Sequence, residues 1–230
     1  VRRAGTPPVA SVAVHPIERL RYVARAGWAA PAVLAAEAAW ALGDLAAYEE
    51  PAVLPACRRL LDRHPGCGPL WWVAARILTA GDPVEEAERC AQALEDDPTP
   101  ELLHEELGTV GRAVRHGGVG EVASAEVVVV EVEALGPDGM VVDPDDMGLL
   151  EAARDLEVPL WVEGGVGRVV PPRIWEALRR RVERAGPWRV GTVVDLAGVG
   201  RVAGPTGLVT VSGALAGAEF PEPGALLARW

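Results

Sequence analysis

Four consecutive valines at 127–130 constrain this chain more than any other feature, because an unbroken β-branched run suits a strand covered on both faces, as in a parallel sheet flanked by helices. Residues 124–162 then read as one unit: the valine strand, an acidic loop at 136–146, a helix from about Asp146 to Glu157, and a second apolar strand at 158–162 with Pro159 near its start. Ligands of such sheets bind beyond the carboxyl ends of the strands. That rule makes Glu131, Glu133 and the loop residues Asp138, Gly139 and Asp143 candidates for a site, together with Glu163, Gly164, Gly165 and Arg168 after the next strand.

The residues before this unit look different. Prolines at 16, 31, 51, 69, 83 and 100 stand where first helical turns would begin, where the missing N–H costs nothing. Leu34, Ala38, Leu42 and Leu45 form one apolar stripe, and Val53, Leu54, Cys57, Leu60 and Leu61 form another. The segment 70–78, with Trp71 and Trp72, is apolar nearly all round and is expected to be the central helix of a bundle. We therefore expect an N-terminal arm at 1–15, a helical domain at 16–110 and an α/β domain at 111–230 that is Rossmann-like, mostly parallel and flanked by helices. Prolines 171 and 172 should open a helix through Arg184, and 189–194 and 208–211 are the expected last strands, with Gly-Pro-Thr-Gly at 204–207 as a turn.

Composition removes several functions. With 230 residues, half of them hydrophobic, the chain can bury a substantial core, while a formal charge of −11 argues against nucleic acid or an anionic membrane as partner. No apolar run approaches the roughly 20 residues of a membrane span, and the opening segment is too short and Pro-broken for a secretory signal, so the chain reads as cytoplasmic. All 22 basic residues are arginine, which rules out a Schiff-base or phosphate-loop lysine. The lack of Lys and Asn, whose codons are AT-rich, points to a high-GC bacterial source.

Cys57, Cys67 and Cys90 lack any Cys-x-x-Cys pair and are expected to be reduced, buried thiols. No metal or cofactor is expected: His64 with Cys67 has no second ligand pair, and His15, His104 and His116 have no triad context. Asp143, Asp145 and Asp146 lack EF-hand spacing and suit turn and cap duty. Gly164, Gly165 and Gly167 do not match a dinucleotide fingerprint, yet their N–H groups could cradle an anion with Arg168 as clamp; a tight turn without ligand is the alternative. Arginines 179–181 read as a solvated helix end.

In order, the valine strand ending Glu131-Val132-Glu133, then Asp138-Gly139, then Val142-Asp143-Pro144, an Ala-rich helix through Ala152 and Ala153, and a strand introduced by Val158-Pro159 resemble the translation initiation factor 2B alpha/beta/delta family. That superfamily includes methylthioribose-1-phosphate and ribose-1,5-bisphosphate isomerases. Where the family has Gly-Ala-Asp, Asn-Gly and Val-Asn-Lys, this chain puts Glu133 at the aspartate, Asp143 at the asparagine and Pro144 at the lysine, and no cysteine lies in a Cys-Asn motif.

The resemblance implies that the aspartate position would act with a catalytic cysteine and the Asn-Lys pair would hold a sugar phosphate. A carboxylate and a proline cannot replace an amide and an ammonium facing a dianion. The expectation is thus a noncatalytic regulatory or ligand-binding homologue. An active aldose-ketose isomerase, with Glu133 shuttling a proton and Arg168 holding phosphate, and a structural interaction module remain as alternatives. Expected partners are a second copy, joined through the α/β half with Trp175 or Trp188 as candidate contacts unless either is core, and a small phosphorylated metabolite or nucleotide. The family has about two more strand-helix units before the valine strand, so either the sheet is reduced or a segment near Gly111 is missing from the sequence. An intact mass well above 24.2 kDa would reveal the missing segment.

Overall fold

The computed structural model describes residues 16–25, 30–115, 119–185 and 191–227. Helices α1 (Pro16–Arg25), α2 (Pro31–Glu49), α3 (Val53–Arg63), α4 (Gly68–Thr79), α5 (Pro83–Glu95) and α6 (Thr99–Leu107) form the first half. The proline pattern fixes their starts: Pro31 and Pro83 open α2 and α5, Pro69 lies in the first turn of α4, and Asp82 accepts from the Val84 and Glu85 N–H groups as the cap of α5. Helix α4 is buried almost throughout, so it is the central helix that its apolar circumference predicts. Cys57, Cys67 and Cys90 are free and buried, as expected.

Seven strands follow among the described residues: β1 (Ala113–Val114), β2 (Val127–Leu135), β3 (Met140–Val142), β4 (Leu160–Glu163), β5 (Thr192–Val194), β6 (Val199–Gly204) and β7 (Gly207–Val209). The parallel core runs β1-β2-β4-β6, while β3 and β7 are antiparallel additions to β2 and β6, and β5 adds antiparallel to β3. Two short elements share the outer edge of β2. Strand β1 pairs with Val127 and Val128, and β3 pairs with the far end from Val132 to Leu135. The neighbour that a doubly buried valine strand requires is thus reduced to two residues on that side, among the described residues.

One face of the sheet packs Val128, Val130, Val132, Leu160, Val162 and Val202, with Val122 of the short helix α7 (Val119–Val122), against α8 (Met147–Asp155). The other face packs Val129 and Ala203 against Leu103 of α6. Beyond β4, α9 (Pro172–Ala185) buries Ile174, Trp175, Leu178 and Val182 in the same cluster as α2, α3 and α4, so the largest core runs across the sequence boundary near 110.

Several local expectations need correction. The acidic loop at 136–146 is shorter than expected, because β2 runs on to Leu135 and turns back as β3, with the Gly136 N–H donating to the Gly139 carbonyl at 2.8 Å. Helix α8 stops at Asp155, and Glu157 lies beyond it at φ 53°, a left-handed value that ends helices. Strand β6 carries no clear strand signature in the sequence, since Gly198, Gly200 and Gly204 hide its apolar alternation. Val211 starts a short helix, Val211–Ala216, instead of ending a strand, and residues 189 and 190 of the other expected strand lie outside the described residues.

The two halves meet where α4 begins. A Cβ on Gly68 would lie 2.7 Å from the Glu133 carbonyl oxygen and 3.1 Å from that of Gly167, both rigid backbone. Gly68→Ala should therefore lower unfolding free energy by roughly 1–3 kcal/mol. By contrast, Gly148→Ala in α8, where a Cβ meets nothing within 4 Å, should raise it by about 0.5–1 kcal/mol. Denaturant unfolding of both variants checks the pair, and equal effects would contradict this packing.

Candidate functional site

Strand register brings the carboxylates together. Glu131 of β2 sits directly opposite Glu163, the last residue of β4, and Glu133 follows two residues along β2, where the pairing with β3 shifts register between Val132 and Ala134. Glu131 is exposed, Glu133 half-buried and Glu163 buried. After β4 the chain passes through the glycine turn and returns to β2. There the Leu135 N–H donates to the Arg168 carbonyl at 2.7 Å and the Val170 N–H donates to the Leu135 carbonyl at 2.8 Å.

That return places the Arg168 side chain, which is buried, beneath the carboxylates. Its guanidinium donates to the Val132 carbonyl and to Glu131 Oε1. Arg115 pairs with Glu163. Burial pushes the Glu133 carboxyl up to about 7; Arg168 opposes the rise, and Asp143 and Glu131 reinforce it. Glu163 is also raised, by burial first, with Arg115 pulling the other way. Cys67, whose titration responds to both Glu133 and Arg168, is pushed up to about 12 by burial, so it is an unreactive thiol at neutral pH.

The glycine turn carries a residue that the sequence did not single out. Asp97, just before α6, accepts the Val166 N–H on Oδ2 at 2.7 Å, and its Oδ1 accepts from the Thr99 N–H at 3.0 Å and the Thr99 hydroxyl at 2.6 Å. A Cβ on Gly165 would lie 2.2 Å from Asp97 Oδ2, which is why that position holds glycine. An internal carboxylate thus occupies a donor that an external anion would need. The local signal around Asp97 is an ordinary helix-entry turn, and nothing in it points to a contact 69 residues away.

Other candidates fall elsewhere. Asp138 accepts from the Trp175 indole N–H, and Gly136 and Gly139 leave room for that ring, so Asp138 and Gly139 lie at the α9 contact and not with the carboxylates. Trp175 is consequently buried, which removes it as an exposed dimer contact; Trp188 lies outside the described residues. Asp143 is exposed and accepts from the Asp145 N–H at 2.9 Å as a cap, while its charge still acts on Glu133. Gly164 donates its N–H to the Ala203 carbonyl at 2.8 Å, joining β4 to β6. Arg179 and Arg180 pair with Glu183 and Glu176 at the surface, as a solvated helix end should. Arg181 does not: it is buried, 4.5 Å from the Trp71 ring centroid, because α9 packs on α3 and α4. No group of three or more His, Cys, Asp or Glu among the described residues could hold a metal ion. His15 and His116 lie outside the described residues.

Similar architectures occur among solved structures. The tetrameric eIF2B-beta2-delta2 complex from C. thermophilum matches with a TM-score of 0.69, 12% identity, and coverage of 87% of this chain and 93% of that one. The fold is that of an eIF2B subunit. Translation initiation factor eIF-2B from Pyrococcus horikoshii OT3 has a TM-score of 0.66 and 14% identity, covering 85% of this chain and 96% of its own. For eIF2B beta from Chaetomium thermophilum the values are 0.65, 10%, 92% and 91%. No family model and no curated protein matches the sequence. The chain therefore shares this fold at 10–14% sequence identity. Among the described residues, no helix is long and apolar enough to cross a membrane.

The raised Glu133 carboxyl sets a pH dependence with a definite sign. In the unfolded chain the group titrates near 4.5 and in the fold near 7, so the native state holds its proton more tightly. Stability from this group is full below about pH 4.5 and is lost as pH rises through 7, for a total of roughly 3 kcal/mol. Glu133→Gln should remove that slope and unfold at higher denaturant than wild type at pH 8. Identical pH profiles would show that the carboxyl is not perturbed. Cys67 should resist iodoacetamide in the native protein at pH 8 and react only on unfolding.

Proposed function

We propose that this chain is a divergent, noncatalytic regulatory or ligand-binding homologue of the initiation factor 2B and sugar-phosphate isomerase superfamily. One observation carries the reading: the groups at the crevice are already committed to one another. Arg168 holds Glu131 and a β2 carbonyl, Arg115 holds Glu163, and Asp97 fills the Val166 N–H. A sugar phosphate dianion would meet the carboxylates of Glu131, Glu133, Glu163 and Asp143 with both arginines engaged, and Coulomb repulsion would act against it. A phosphorylated metabolite or nucleotide is accordingly disfavoured on these carboxylates, and the departures at Asp143 and Pro144 point the same way.

The protein would work in the cytoplasm and through assembly. The tetrameric arrangement belongs to the C. thermophilum complex, and for this chain we infer a homodimer through the α/β half, with Trp175 excluded from the contact because α9 buries it.

A second reading has one observation in its favour. A carboxyl near 7 on a strand end is well matched to proton shuttling between adjacent sugar carbons, as an aldose-ketose isomerase requires. Incubation of the pure protein with ribose 1,5-bisphosphate and with methylthioribose 1-phosphate separates the two. The noncatalytic reading expects no ketose product. Turnover that disappears in Glu133→Gln would establish the isomerase instead.

A further inference from the structure

On the opposite face of the sheet from the carboxylates lies a cleft of about 510 Å³, within the size range of small-molecule sites. It opens at the carboxyl ends of β4 and β6, between the glycine turn on one side, Trp72 and Arg76 of α4 on another, and the helix Val211–Ala216 with residues 217–219 on the third. Val202 and Val209, paired across β6 and β7, form part of its wall and belong to the α8 face of the sheet, whereas Glu163 and its register partner Ala203 point to the α6 face. None of Glu131, Glu133 or Glu163 lines it.

Its chemistry differs from that of the crevice. Glycines 164, 165, 167, 204, 213 and 217 keep bare backbone at the surface, and valine, alanine and the Trp72 ring supply most of the remainder. The Trp72 indole N–H is taken by the Glu219 carbonyl at 3.1 Å, which ties the 217–219 segment across the cleft and presents the ring body as wall. Arg76 is the single cation in the lining. Its Nε is fixed by the buried Glu86, which also receives Arg89 at 2.7 Å, and its guanidinium carbon stands 5.1 Å from the Trp72 ring centroid. A phosphate dianion would need several donors around it. Arg76 is already paired with Glu86, as Arg168 is with Glu131, so it has only its remaining N–H groups to offer, which suits a monoanion with a flat apolar body and not a dianion.

We propose that this cleft is a binding site for a small planar aromatic compound carrying one anionic group, with the ring system between Trp72 and the β6–β7 valines and the anion at Arg76. The site shares the glycine turn with the crevice but none of Glu131, Glu133 and Glu163, so it stands or falls regardless of whether Glu133 is catalytic.

Titration of the full chain with 1-anilinonaphthalene-8-sulfonate, which has fused rings and one sulfonate, tests it. The expected result is one equivalent bound with enhanced emission, weakened about tenfold in Arg76→Gln and lost in Ala214→Trp, whose side chain fills the cleft. Thr206→Trp, at an exposed position on the β6–β7 turn, blocks the same mouth and gives the same loss if Ala214→Trp fails to fold. Absence of binding to wild type would overturn the proposal, as would binding left unchanged by the folded blocking variant.

Discussion

A single buried guanidinium organises the centre of this protein. Arg168 enters at the end of a turn that carries the chain from β4 back to β2, and it bonds at once to the backbone of β2 and to the carboxylate of Glu131. Taking a charge out of water is costly, and the cost is offset only when the ion is paired and its donors are satisfied. Here the pairing is internal. Removing the guanidinium would leave Glu131 and Glu133 of β2 and Glu163 of β4 without it, at the end of the sheet where α4 docks on β2 through Gly68.

Asp97 extends the same principle to the backbone. A glycine turn at the end of a parallel strand is a place where N–H groups gather, and anions are its ordinary guests. In this chain the guest is covalently supplied by the start of α6, and Gly165 is glycine because that carboxylate is there. The crevice at the carboxyl ends of β2 and β4 thus has its charges turned inward. What remains responsive is Glu133, whose proton is held to near neutrality by burial.

The readable and unreadable parts of the sequence divide along physical lines. Helix starts were legible because proline at the first turn is a local rule, and β2 and β4 were legible because unbroken apolar runs between turn signals are also local. The carboxylate pair came from the two-residue period of a strand. Strand β6 was hidden, since three glycines dilute its pattern and its place in the sheet depends on pairing with β4. Asp97 was hidden for the same reason: its role is a bond to a residue 69 positions away. Asp138 and Trp175 misled because a loop aspartate and a helical tryptophan carry no mark that they bond to each other.

The chain has the architecture of eIF2B subunits at 10–14% identity, and the side chains decide the rest. Calorimetric titration of ribose 1,5-bisphosphate into the wild-type protein at low ionic strength, where charge effects are largest, addresses the self-neutralised crevice most directly. The account predicts no saturable heat up to millimolar ligand. A stoichiometric, saturable isotherm that is lost when Glu133 and Arg168 are altered would contradict it.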